Sequence, residues 1–187
     1  MKPPLAWPLW LVGFRPFFGL AFLSGLSLPV LWALLYTGAV PAPATSYSMV
    51  QWHAHEMFFG FGWAVLGGFL LTSTKNWVQV RGYHGGSLMF LAAAWLFERV
   101  GMWCEGFWPP LLFRLSNNLF LVAMVALLMW TLIRHRRNDA YRDNYFFLLA
   151  LPLFLLAKYL ILNPDDFQAG SSMAIGLFRM AFLQMLE

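Results

Sequence analysis

The sequence predicts an all-α, polytopic transmembrane bundle of about five to six spans with a cytoplasmic N-terminus. Three observations carry this. The chain of 187 residues is 60% hydrophobic and only 11% charged, whereas a soluble domain carries roughly a quarter of its residues charged. Apolar runs of roughly 20 residues follow one another, each long enough to cross a bilayer. Lys and Arg are unevenly shared among the connections, and they prefer the cytoplasmic side. The net charge of +4 does not point to nucleic acid, because the basic residues sit mostly between the apolar runs. The partner implied is the lipid bilayer. The single cysteine, Cys104, excludes an internal disulfide framework and any multi-cysteine metal site.

The elements follow in order. The opening "MKPPLAWPLWLVGFRPFF" holds Lys2 and Arg15 and no small-residue cleavage site. It reads as a retained N-terminus, not a signal peptide. Spans are expected at 16–38, 52–74, 86–104, 113–134 and 144–163. A sixth begins near Ala169 and is still apolar at Glu187, which suggests a piece of a longer protein. No hydrophilic domain interrupts the runs, so residues 1–187 are expected to form one transmembrane domain. Lys75 and Arg81 lie between the second and third spans, and Arg134, Arg136, Arg137 and Arg142 between the fourth and fifth. "PAPATSYS" (Pro41 to Ser48) is uncharged and "NPDDFQ" (Asn163 to Gln168) is acidic. The first-to-second, third-to-fourth and fifth-to-sixth connections are therefore expected outside.

With that orientation, depth follows at about 1.5 Å per residue. His53, His55 and Glu56 head the second span at its outer end. Glu98 and Arg99 fall a turn or two below the outer end of the third. Arg114, Asn117 and Asn118 begin the fourth, Lys158 nears the outer end of the fifth, and Arg179 lies nearer mid-membrane. Ionisable groups inside spans are costly and usually line a site or a wet cavity. Arg114 and Lys158 have an equal alternative, which is to snorkel at helix ends.

The second span carries the candidate ligands. Residues two apart on a helix point about 200° apart, so His53 and His55 cannot ligate one metal together. His53 shares a face with Glu56, Met57, Gly60, Ala64, Gly67 and Gly68; His55 shares the other with Phe59, Gly62, Leu66 and Phe69. The Gly60-Ala64-Gly68 seam permits close helix packing, and it equally leaves room for a flat macrocycle below a histidine. An imidazole heading such a face suits an axial haem ligand. Proton carriage and simple hydrogen bonding remain open for both histidines.

Several motifs together resemble the NnrS family: "GFRPFF" (Gly13 to Phe18), "HAHEMFFGF" (His53 to Phe61), "GGFLLTSTKNW" (Gly67 to Trp77), "GYHGG" (Gly82 to Gly86), and Trp95-Leu96 with Arg99. The resemblance implies a multi-pass protein of the bacterial inner membrane, linked to the response to nitric oxide and containing haem and copper. It implies about twelve spans, of which this chain would be the N-terminal half, completed by the missing half or a second copy. A distant likeness to haem–copper oxidases implies that His53, followed four residues later by Met57, binds haem near the outer face. His55 is a second candidate metal ligand, Glu56 would orient a ring nitrogen, and Arg99 would pair with a haem propionate. The chain departs from the family pattern at Lys75-Asn76-Trp77, where Pro-Asn-Trp is expected. It also departs at Glu98, where a small residue is expected.

Three functions stay open: a haem-binding protein of the nitric oxide response, a haem–copper-oxidase-like oxidoreductase, and a transporter with a polar path in the outer leaflet. The four histidines, His53, His55, His84 and His135, do not by their spacing supply a copper site. No catalytic residue is assigned.

Overall fold

The computed structural model describes residues 7–138 and 144–184. Lys2, Arg142 and Glu187 lie outside the described residues. Six long helices follow one another: α1 (Phe14–Tyr36), α2 (Met49–Trp77), α3 (Gly86–Cys104), α4 (Pro110–Arg134), α5 (Tyr145–Leu162) and α6 (Phe167–Gln184). Among the described residues α1 to α5 are long and apolar enough to cross a membrane. The helix α6 forms where the sixth span is expected, but it does not join that set. Gln168, Ser171, Ser172 and Arg179 dilute its apolar content.

Local chemistry marks the starts of two of these helices. Pro110 opens α4 at a first-turn position, where the absent N–H costs no bond. At the head of α2, Ser48 accepts from the Gln51 backbone N–H, and Gln51 Oε1 accepts from the Ser48 N–H. This is a reciprocal capping box. Gln51 also donates from Nε2 to the Ile161 carbonyl at 3.2 Å, tying the start of α2 to the end of α5.

The helix α2 is central. Over half of its apolar stretch is buried, against about a tenth for α1. Phe59, Trp63, Ala64, Leu66 and Leu70 are all buried. By their chemistry Phe59 and Leu66 suit either lipid or bulky neighbours. The structure settles on neighbours, because a helix at the centre of the bundle has partners on every side. By contrast α1 shows Phe22, Leu23, Leu26 and Val30 outward, as a lipid-facing helix should.

The second half of the HAHEM motif departs from a regular α-helix. Glu56–Gly62 is a π-helical turn, in which the Trp63 N–H reaches back to Phe58 O. Such widened turns recur at functional sites. This one has a consequence for the small-residue seam. Gly60 lies under Arg99 of α3, while Gly68 lies against Phe17 and Phe18 of α1. Gly60, Ala64 and Gly68 are all buried, as expected, but they serve two partner helices rather than one face. The reason is that the extra residue in the turn rotates everything after it.

The two ends of the bundle differ in charge. At one end the 37–48 connection is pinned to the end of α3: Ala44 donates to Trp103 O, Gly106 donates to Ala44 O, and Ser46 N donates to Glu105 at 2.6 Å. Glu105, Asp165 and Asp166 all belong to this acidic end. At the opposite, basic end Gly85 donates to Trp10 O, and the Tyr83 hydroxyl reaches Leu127 O and Thr131.

Candidate functional site

Five ionisable side chains from three helices meet one to two turns inside the acidic end. His55 and Glu56 come from α2, Glu98 and Arg99 from α3, and Lys158 from α5. His55, Glu56, Glu98 and Lys158 are all buried, His55 and Glu98 completely. The His55 Nδ1 lies 3.3 Å from Glu56 Oε1, and its Nε2 lies 3.3 Å from Glu98 Oε1. The imidazole thus stands between two carboxylates. Arg99 donates from Nη1 to Glu56 Oε2 at 3.1 Å, and its Nη2 lies 3.2 Å from Glu98 Oε1. Lys158 donates to Glu98 Oε1 and to the Asn117 carbonyl of α4. Glu98 is the hub, with His55, Arg99 and Lys158 all on one oxygen.

The local structure makes this gathering possible. Gly60 has no Cβ, and one built there would collide with Arg99 Nη1. The guanidinium can therefore lie across the helix surface to reach Glu56. The Trp95 indole donates to Gly60 O at 3.0 Å, locking the α2–α3 contact just below. Arg99 also lies over the Trp95 ring, 5.3 Å from its centroid, and Lys158 lies 5.7 Å from that of Phe59. Such cation–π contacts add to the pairing where water is scarce.

Formal charges within the cluster balance when His55 is neutral, two carboxylates against one guanidinium and one ammonium. Buried ions need that balance. Hydrogen bonding is incomplete, however. Among buried atoms, His55 Nε2, Glu98 Oε2, Arg99 Nε and Nη2, and Asn117 Oδ1 lack a hydrogen-bond partner. The 3.3 Å approach of His55 Nε2 to Glu98 is a close charge contact without hydrogen-bond alignment. Unpaired buried polar groups cost about 1–3 kcal/mol each, so this spot is built to take water or the polar atoms of a ligand. A cleft of about 530 Å³ leads there, lined at its mouth by Tyr47, Arg114, Asn118 and Tyr159 and further in by Asn117 and Lys158. Chemically, the arrangement sets one imidazole against two carboxylates, beside a cleft that reaches Lys158 and Asn117.

The two histidines of HAHEM go separate ways, as the 200° angle requires. His53 is half-buried and stacks on Trp32 of α1, with ring centroids 4.1 Å apart. No hydrogen bond engages its ring among the described residues. Met57, one turn on, is also half-buried. About two turns deeper along α1, an apolar groove of about 480 Å³ opens between α1 and α2, lined by Phe18, Gly25, Phe61 and others. Glu56, expected to orient a ring nitrogen, lies against that of His55 rather than His53. Arg99, expected to meet a haem propionate, lies between Glu56 and Glu98 of this chain.

The sequence reading placed Glu98, Asn117 and Lys158 at a common depth but gave none of them a role. Depth was the available signal; that Lys158 turns inward rather than snorkelling was not. Arg179 is exposed and takes no part, and Arg114 is exposed at the mouth of the cleft. Among the described residues no group of three or more His, Cys, Asp or Glu is arranged to hold a metal ion.

No curated protein matches the chain, and no solved structure does. The family described as NnrS protein matches residues 8–187. That match covers nearly the whole of a chain whose five apolar helices make it a multi-pass membrane protein, and the chain belongs to the NnrS family.

Proposed function

We propose that this protein acts in the response to nitric oxide in the bacterial inner membrane, and that it binds haem through His53. The observation that supports the reading is the division of labour within HAHEM. A ligand needs a nitrogen that no other group has claimed. His55 is enclosed, with a carboxylate 3.3 Å from each nitrogen. The His53 ring is partly accessible and unclaimed, at the seam between α1 and α2. The residues therefore fit an axial ligand at His53. Haem bound there would supply an iron able to take a diatomic molecule such as nitric oxide. Trp32 would fix the plane of the imidazole, and the apolar groove below Gly25 would exclude water. The His55–Glu98–Lys158 cluster, close by on α2, would hold or deliver protons at the same end of the bundle.

Copper has less support. The described residues do not converge on a metal in the required number. A second reading, a transporter with a polar path, is favoured by the cleft that reaches Lys158 and Asn117.

The absorption spectrum of the purified protein tests the main reading. The expected result is a haem spectrum in the wild type that His53→Ala loses and His55→Ala keeps. A wild type without haem when expressed with ample haem supply would turn the reading toward transport. Loss of the spectrum in His55→Ala alone would move the ligand into the charged cluster.

A further inference from the structure

The basic end of the bundle carries two adjoining cavities that the charged cluster does not involve. One, of about 370 Å³, is lined by Lys75, Arg81, Tyr83 and His84 among others. The second, of about 150 Å³, shares Lys75, Arg81 and Tyr83 and adds Thr74 and His135. The turn after α2 creates both. The Val80 N–H folds back to Lys75 O at 2.9 Å, and Gln79 adopts a φ of 53°. Gly82 then lies beneath the lysine stem: a Cβ there would come within 2.7 Å of Lys75 Cδ. The absence of a side chain at residue 82 therefore lets the lysine lie across the turn, between the two cavities.

The chemistry of the walls is one-sided. Neither Lys75 nor Arg81 has an ion-pair or hydrogen-bond partner among the described residues. The described carboxylates, Glu56, Glu98, Glu105, Asp165 and Asp166, all belong to the opposite half of the molecule. Thr74 is buried, and its Oγ1 has no hydrogen-bond partner. A buried hydroxyl in that condition is a donor waiting for an acceptor oxygen. The His84 Nδ1 is engaged with Gly82 O at 2.9 Å, which leaves Nε2 as its free nitrogen. Two unpaired cations and an unsatisfied hydroxyl around a cavity match an oxyanion, and phosphate is the oxyanion found at the ends of membrane helices.

We propose that this double cavity is a binding site for a phosphate group, with Lys75 and Arg81 supplying the charge and Thr74 a hydrogen bond. The source is either the headgroup of an anionic phospholipid or free phosphate. Thermal unfolding of the full chain in neutral detergent distinguishes them. The probes are short-chain phosphatidylglycerol, short-chain phosphatidylcholine as the zwitterionic comparison, and inorganic phosphate. The expected result is a saturable rise in Tm with phosphatidylglycerol, weaker or absent with phosphatidylcholine. A rise with inorganic phosphate alone at similar concentration assigns the site to the free anion instead. Lys75→Gln/Arg81→Gln should weaken the apparent affinity roughly 30-fold, from about a fivefold step per cation. Arg81→Gln alone, at an exposed position that the fold does not need, should give part of that loss. Arg136→Gln/Arg137→Gln, on exposed cations that line neither cavity, should leave the affinity unchanged. Three outcomes would overturn the proposal: no saturable response to either phosphate probe, an undiminished response in the cavity variants, or an equal loss in the Arg136/Arg137 variant.

Discussion

Glu98 shows how much one buried carboxylate can organise. It takes His55, Arg99 and Lys158 on a single oxygen while its other oxygen stays unpaired. Breaking a buried pair by removing one partner strands the other charge, at about 3–5 kcal/mol. Glu98→Gln should therefore destabilise the protein by that order, because it strands Lys158. Glu98→Leu combined with Lys158→Met removes both charges at once and should recover much of the loss. Thermal unfolding of the single and double variants in detergent checks this. A double variant no better than Glu98→Gln alone would mean that Lys158 does not depend on Glu98. At this scale the sequence was half legible. The residues HAHEM, Glu98-Arg99 and Lys158 were visible as charges too costly to leave in lipid. Their partners were not, because pairing depends on rotations about each helix axis that a depth estimate cannot supply. Lys158 is the clearest case: the same position near a helix end serves a snorkelling side chain or an inward one. Only the presence of Glu98 across the gap decides between them.

Among the elements, the helices were legible to within about three residues, since apolar runs and their flanking Pro, Gly and charges mark the ends directly. The π turn at Glu56–Gly62 was not, because its bonding pattern is set by what α3 asks of α2. Gly60 is where that demand is met. Gly60→Leu should cost about 1–3 kcal/mol by overpacking, and it should push Arg99 off Glu56. Gly19→Ala is the contrast: nothing lies within 4 Å of the new Cβ, and helix propensity favours the change by about 1 kcal/mol or less. Unfolding curves for the two variants should move in opposite directions; equal shifts would deny Gly60 its place in the contact. The connection before α2 gives a pH-dependent counterpart. Burial, assisted by the nearby Glu105 carboxylate, holds the Tyr47 phenol above its ordinary value. The folded state then keeps a proton that the unfolded state releases above about pH 10. Its stability contribution is complete below that point and falls as pH rises toward the folded value. Stability in the wild type should drop more steeply than in Tyr47→Phe as pH rises above about 10. Identical slopes would remove Tyr47 from the account.

For the whole molecule, the separation of charge between the two ends unites the fold with its setting. Among the described residues the carboxylates of the connections, Glu105, Asp165 and Asp166, lie at one end, with the buried cluster one to two turns beneath them. Lys75, Arg81, Arg134, Arg136 and Arg137 lie at or beyond the other. A bilayer reads that difference, since basic connections stay on the cytoplasmic side. The bundle itself is indifferent to which way it is inserted, so helix packing adds no information on orientation; the connections carry all of it. The expectation is that the 37–48 connection faces outward and the connection after α4 faces the cytoplasm. Cys104 is first replaced by serine, and single cysteines are then introduced at Thr45 or Asn138. A membrane-impermeant maleimide applied to intact cells should label the first and miss the second until the membrane is opened. The reverse pattern would place the His55–Glu98–Lys158 cluster and its cleft on the cytoplasmic side. Protons and small polar molecules would then reach it from within the cell, and the phosphate-binding cavity would face outward, away from the basic side's usual lipids.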